Sequence, residues 1–164
     1  MEVKLLVRGA LLLAVGALSQ QLRLVLPLPV PVLTLLIGTL VNTVRFLSSR
    51  YTSSQLAWVT ALALPVIAFF QGHIQPFLIP VIFLGNGIYV ELTGRRKSLR
   101  WTLFWAPAVK SLVLGLCLSL GQLLVLQLPP AMLPPVLAAF LPFQWLTGMA
   151  GVLLGQLLEG RIHD

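Results

Sequence analysis

Residues 31–54 read PVLTLLIGTLVNTVRFLSSRYTSS, and the order of apolar and basic groups along them decides the fold. From Pro31 to Ser48 the apolar character is continuous, without the period-two alternation of a barrel strand, so the run reads as a helix in hydrocarbon. A hydrocarbon core of about 30 Å takes about 20 helical residues, which this run supplies with its flanks. It ends in RFLSSRYTSS, where Arg45 and Arg50 give the connector the composition of a cytoplasmic loop.

Working outward, proline, glycine and basic clusters set off five more runs of the same kind, over 4–24, 53–71, 76–93, 101–126 and 133–157. The connectors are PLPVP, QGHIQP and QLPPAMLPP on one side and RFLSSRYTSS and TGRRKSLR on the other. Composition agrees: 58% of the residues are hydrophobic and only 9% are charged, against about 25% charged in an average soluble domain. A length of 164 residues accommodates six spans with short connections and no separate soluble domain. The expectation is an all-α integral membrane fold, a six-transmembrane-helix bundle forming one transmembrane domain over 1–164.

Orientation follows from charge. Lys4, Arg8, Arg45, Arg50, Arg95, Arg96, Lys97, Arg100 and Arg161 fall on one side and Arg23 near the other. The positive-inside rule makes the first side cytoplasmic and puts both termini there, which requires an even number of spans. Glu2, Glu91, Glu159 and Asp164 lie on that side too, so the outer connectors carry no acid. Trp58, Trp101 and Trp105 near cytoplasmic ends suit interfacial anchoring. The N-terminal segment has the basic start and apolar middle of a signal peptide, but Gln20, Gln21 and Arg23 make poor cleavage chemistry, and it is read as the first helix. A net charge of +7 would suggest nucleic acid in a soluble chain; here the bases end apolar runs and mark topology, so no nucleic-acid partner is expected.

The informative residues are polar ones at membrane depth. Lys110 lies nine positions beyond Trp101, roughly 13 Å along a helix. An intramembrane lysine costs about 2.5–3.5 kcal/mol at the helix centre and marks a cavity or ligand site, unless its long stem snorkels to the interface. No carboxylate shares that depth. Asn42, Asn86 and Gln144 reach the same layer, and their amides need partners or a ligand, or serve only to join helices. Toward the outer side follow Ser19, Gln20, Gln21, Arg23, Ser119 and Gln122, with Gln71, His73 and Gln75 in a connector. A polar set that widens outward suits a cavity open to the outside. Candidate substrate-binding residues are therefore Asn42, Asn86, Lys110, Gln144, Gln20, Arg23, Gln122 and His73.

Pro65, Pro80, Pro107 and Pro142 fall inside runs, where they kink helices or leave carbonyls free. Small residues form stripes at Ala10, Ala14 and Ala17 and at Gly148, Gly151 and Gly155, allowing close helix approach within the bundle or against a partner.

Catalytic patterns are missing. HExxH, GxSxG, Walker A and Cys/His constellations do not occur, and Cys117 is alone in an apolar run, so no enzyme activity, cofactor or metal is expected. The halves do not repeat, which argues against an inverted-repeat transporter complete in one chain.

The stretch GTLVNTVRFLSS, followed after one helix by PVIAFFQGHIQPFLIPVIFLGNGIYV, resembles the substrate-binding S components of energy-coupling factor (ECF) transporters, in which comparable stretches read LVNA, TPxIA and PxxxPVIMLGN. The resemblance spans residues 8–92; the first outer connector, PLPVP, differs from the glycine-rich loop of other members. It implies a subunit of an ABC-type importer in a prokaryotic plasma membrane that captures a small water-soluble vitamin or cofactor precursor outside. Release inward would follow docking on a membrane coupling protein with two cytoplasmic ATPases. The family's AxxxA motif implies that Ala10 and Ala14 meet the coupling protein, and the Asn42 and Asn86 matches imply a ligand or structural role. The alternatives are a non-transporting membrane assembly or structural protein, or a small-molecule exporter.

Overall fold

A computed structural model describes residues 2–94, 98–122 and 129–162. Arg95, Arg96, Lys97, His163, Asp164 and the last residues of the 101–126 run lie outside them. The described residues form six α-helices and no strand: α1 (Val3–Val25), α2 (Val30–Tyr51), α3 (Ser54–Phe70), α4 (Leu78–Gly94), α5 (Leu99–Gly121) and α6 (Leu133–Ile162), with a short 3-10 turn at Pro130–Met132 before α6. Each corresponds to one apolar run of the sequence. Boundaries follow local chemistry. Pro31 occupies the first turn of α2, where its missing N–H is not needed. The Ser53 hydroxyl caps α3 by accepting from Leu56 N. Ser98 does the same for Trp101 N at the start of α5. Gly72, at φ 72°, turns the chain after α3 in a conformation that glycine tolerates best.

Helices α1, α2, α5 and α6 are long and apolar enough to cross a bilayer; α3 and α4, at 17 residues each, are shorter. Packing is inverted relative to a water-soluble protein. Leu11, Val15 and Leu18 on α1 and Leu112, Leu116 and Leu120 on α5 face outward, while Asn42, Arg45, Asn86, Lys110 and Thr147 are buried. Exposed leucine and buried lysine are compatible with an apolar solvent around the bundle, hence with a membrane-embedded chain.

Around the bundle, α1 lies beside α2 and α3, α3 beside α4, α4 beside α5, and α5 beside α6. Helix α2 touches α1, α3, α4 and α6 and therefore sits at the centre. That is why every residue from Val41 to Ser48 is buried, whichever face it occupies. The glycine stripe of α6 works inside the bundle. A Cβ on Gly151 would stand 2.6 Å from Asn42 Cβ, and one on Gly155 would collide with the Phe46 ring. These glycines let α6 lie close against α2. Ala10 and Ala14, by contrast, are exposed on the outer face of α1, whose inner face carries Gly9 and Gly16.

Candidate binding site

The packing leaves a cavity of about 260 Å³ among the helices. Its floor is formed by Asn42 and Arg45 of α2, Asn86 of α4, Lys110 of α5 and Thr147 of α6. Its mouth lies where α1 and α3 end, at Arg23, His73 and Ile74, with Thr34 at the start of α2. Thr34 and Arg45 are eleven positions apart, so floor and mouth are separated by roughly 16 Å along α2.

Asn42 organises the floor. Its Oδ1 accepts from Lys110 Nζ at 2.7 Å and from an Arg45 terminal guanidinium nitrogen at 3.1 Å, while its Nδ2 donates to Thr147 Oγ1 at 3.2 Å. Two basic side chains thus share one neutral acceptor. Because both nitrogens lie on the same oxygen they are within about 6 Å of each other, where unit charges repel by about 3 kcal/mol at an effective dielectric of about 20. Among the described residues, no aspartate or glutamate lines the cavity. The Lys110 ammonium also sits 5.2 Å from the centre of the Tyr89 ring, a cation–π distance. The Tyr89 hydroxyl in turn donates to the Gly148 carbonyl at 3.0 Å, tying α4 to α6.

Hydrogen bonding on the floor is incomplete. Among the described residues Arg45 Nε and Asn86 Nδ2 find no partner, although both side chains are buried and Asn86 is only 1% exposed. Buried donors are normally satisfied, and each one left open costs about 1–3 kcal/mol. The surplus on this floor is of donors.

Higher up, Gln20 Nε2 donates to the Leu64 carbonyl at 3.1 Å, joining α1 to α3 one residue before Pro65. Its Oε1 is buried and has no partner among the described residues. At the mouth, burial first and the neighbouring Arg23 charge second hold the His73 imidazole below its ordinary pKa.

Of the eight candidate residues, Asn42, Asn86, Lys110, Gln144, Gln20, Arg23 and His73 all border this cavity. Gln122 does not; it is buried at the far end of α5, where its Nε2 donates to the Pro129 carbonyl at 3.4 Å. Lys110 does not snorkel: it is 1% exposed and its ammonium is bonded to Asn42 inside the bundle. Arg45, read from the sequence as a topology marker, is 6% exposed and belongs to the floor. Thr34 and Thr147 are two further lining residues the sequence did not single out. Arg45 carried a usable signal, since it lies three positions from Asn42 and so on the same helix face.

Comparison with known proteins finds no matching family model, no matching curated protein and no matching solved structure.

Proposed function

We propose that this chain is a substrate-binding subunit of an ECF-type importer, which captures a small water-soluble compound from the extracellular side. In this reading all six helices cross the plasma membrane and both termini are cytoplasmic. The observation that carries it is the cavity: polar at its floor, about 260 Å³ in volume, and opening at the end away from the basic helix ends. Pockets for drug-sized ligands run from roughly 300 to 1,000 Å³, so this one suits a smaller compound. The LVN and LGN stretches that carry the family resemblance contribute Asn42 and Asn86 to the cavity floor. Inward release would then depend on a coupling protein and two ATPases, for which the exposed Ala10 and Ala14 face of α1 is available.

Titration calorimetry of the purified chain against a panel of water-soluble vitamins and their precursors tests the proposal, together with mass spectrometry of compounds retained through purification. Tight binding of one compound is expected; no binding and no retained compound would count decisively against it.

A second reading has its own observation. Asn42 links α2 to α5 through Lys110 and to α6 through Thr147, which is also what a purely structural polar layer would do. Under that reading Asn42→Ala lowers stability and leaves uptake of every compound unchanged. Under the binding reading it also weakens ligand affinity.

A further inference from the structure

We infer that the ligand of this cavity is a compact organic anion, with its anionic oxygens against Lys110 and Arg45 and an apolar body against the wall above them. The inference rests on the binding reading just given and adds the chemistry of the ligand. It follows from what the floor holds in excess. An ammonium carries three donors and a guanidinium five, yet Lys110 Nζ and Arg45 converge on one amide oxygen, and Arg45 Nε has no partner. Among the described residues the lining contains three basic side chains, Arg23, Arg45 and Lys110, and no carboxylate.

Each ligand class meets this floor differently. A cationic ligand would add a third positive charge beside two that already repel. A neutral amide would bring one acceptor and two more donors to a place short of acceptors. A carboxylate or phosphate brings several acceptor oxygens and the missing negative charge, and charge-assisted hydrogen bonds are about twice as strong as neutral ones. A buried charge pair is favourable only when its remaining donors are satisfied, which the unpartnered Arg45 Nε and Asn86 Nδ2 do not achieve alone.

The rest of the ligand is read from the walls. Ile37, Val41, Ile82, Leu114, Phe140 and Phe143 surround the space between floor and mouth, so the body that fills it is apolar or aromatic. Arg23 at the mouth has the sign that draws an anion inward.

The test uses the whole chain in nanodiscs of phosphatidylcholine, a zwitterionic lipid that adds no net charge. Four probes share one aromatic body: benzoate, phenyl phosphate, benzamide and benzylammonium, measured by calorimetry and by thermal shift. At least one anion is expected to bind ten-fold or more tightly than benzamide, and benzylammonium not at all. In Lys110→Met, which keeps an unbranched side chain of similar length and removes its charge, the anion-to-amide ratio falls toward one; Lys110→Arg retains most of it. Benzamide binding as tightly as both anions overturns the anionic assignment and leaves the binding reading standing. Failure of all four probes overturns the anionic assignment as well, and the vitamin panel then decides the binding reading separately. The wild-type ratio decides the matter by itself should Lys110→Met not fold.

Discussion

Lys110 Nζ lies 2.7 Å from Asn42 Oδ1, joining α5 to α2 across 68 positions of sequence in the middle of an otherwise apolar bundle. Among the described residues no carboxylate lines the cavity to answer the Lys110 charge, and Arg45 draws on the same oxygen. One amide therefore holds two basic groups together.

Removing the amide and removing a cation have opposite consequences for stability. Asn42→Ala leaves Lys110 and Arg45 buried without their shared acceptor, and a loss of about 3–5 kcal/mol is expected, the scale of a broken buried charged contact. Lys110→Met relieves the repulsion from Arg45 and puts an apolar chain of similar length in its place. Stability is then expected to be unchanged or raised by about 1–4 kcal/mol. Thermal unfolding of the two variants in the same detergent checks the contrast, and equal losses in both would contradict the shared-acceptor account.

The approach of α6 to α2 gives a second expectation. A methyl on Gly151 would stand 2.6 Å from Asn42 Cβ and 2.9 Å from its backbone carbonyl carbon, so Gly151→Ala must push α6 outward and stretch the Asn42–Thr147 hydrogen bond. A destabilisation of about 1–3 kcal/mol is expected from the overpacking. Gly160→Ala, where nothing lies within 4 Å, serves as the control and is expected to be neutral or slightly stabilising. Thermal melts distinguish them.

These contacts separate what the residues alone make legible from what they do not. The six helices were readable because hydrophobic continuity, proline and basic clusters act locally, and the runs at 31–48 and 76–93 fall within a few residues of α2 and α4. That Asn42, Asn86, Lys110 and Gln144 point toward one space follows from the high cost of an amide or ammonium in hydrocarbon. Angle around a helix is harder to judge when no partner is known. Gln122 lies twelve positions from Lys110, which places it about 120° away around α5, and it misses the cavity. Arg45 sits close to Arg50 and its connector, so its charge reads as a topology signal until the neighbours of α2 on all sides are known.

Acid should weaken the mouth of the cavity. Burial and Arg23 depress the His73 pKa, so the unfolded chain takes up the proton more readily than the folded one. The favourable neutral state of His73 is fully present above its ordinary pKa of about 6.5 and is lost as pH falls below that value toward the folded pKa. Thermal midpoints measured from pH 8 to pH 5 are expected to decline more in the wild type than in His73→Gln. Parallel curves would show that the imidazole contributes nothing to the decline.

Orientation can be read chemically, because the chain has a single cysteine. In a Cys117→Ser background, Gln75→Cys in the connector between α3 and α4 is expected to react with a membrane-impermeant maleimide added to intact cells, since Gln75 is exposed at the cavity mouth end. Ser54→Cys, exposed at the opposite end of α3, is expected to react only after the cells are opened. Labelling of both from outside would mean that α3 does not span. The reverse pattern would turn the cavity toward the cytoplasm and remove the case for uptake.

The outer face of α1 supplies a test that separates docking from binding. Ala10 and Ala14 are exposed and one turn apart, while the bundle contacts of α1 run through Gly9, Gly16 and Gln20 on its other side. Ala10→Leu with Ala14→Leu therefore adds bulk on a face that the described residues leave exposed, and stability should change by no more than about 0.5 kcal/mol, as for other surface substitutions. Ligand affinity of the isolated chain should be unchanged as well, because the cavity lies inside the ring of helices. If a coupling protein packs on this stripe, close approach of two helices needs small residues, and two leucines force them apart. Uptake by intact cells should then fall ten-fold or more with binding intact. Undiminished uptake would move the docking surface to another face of the bundle.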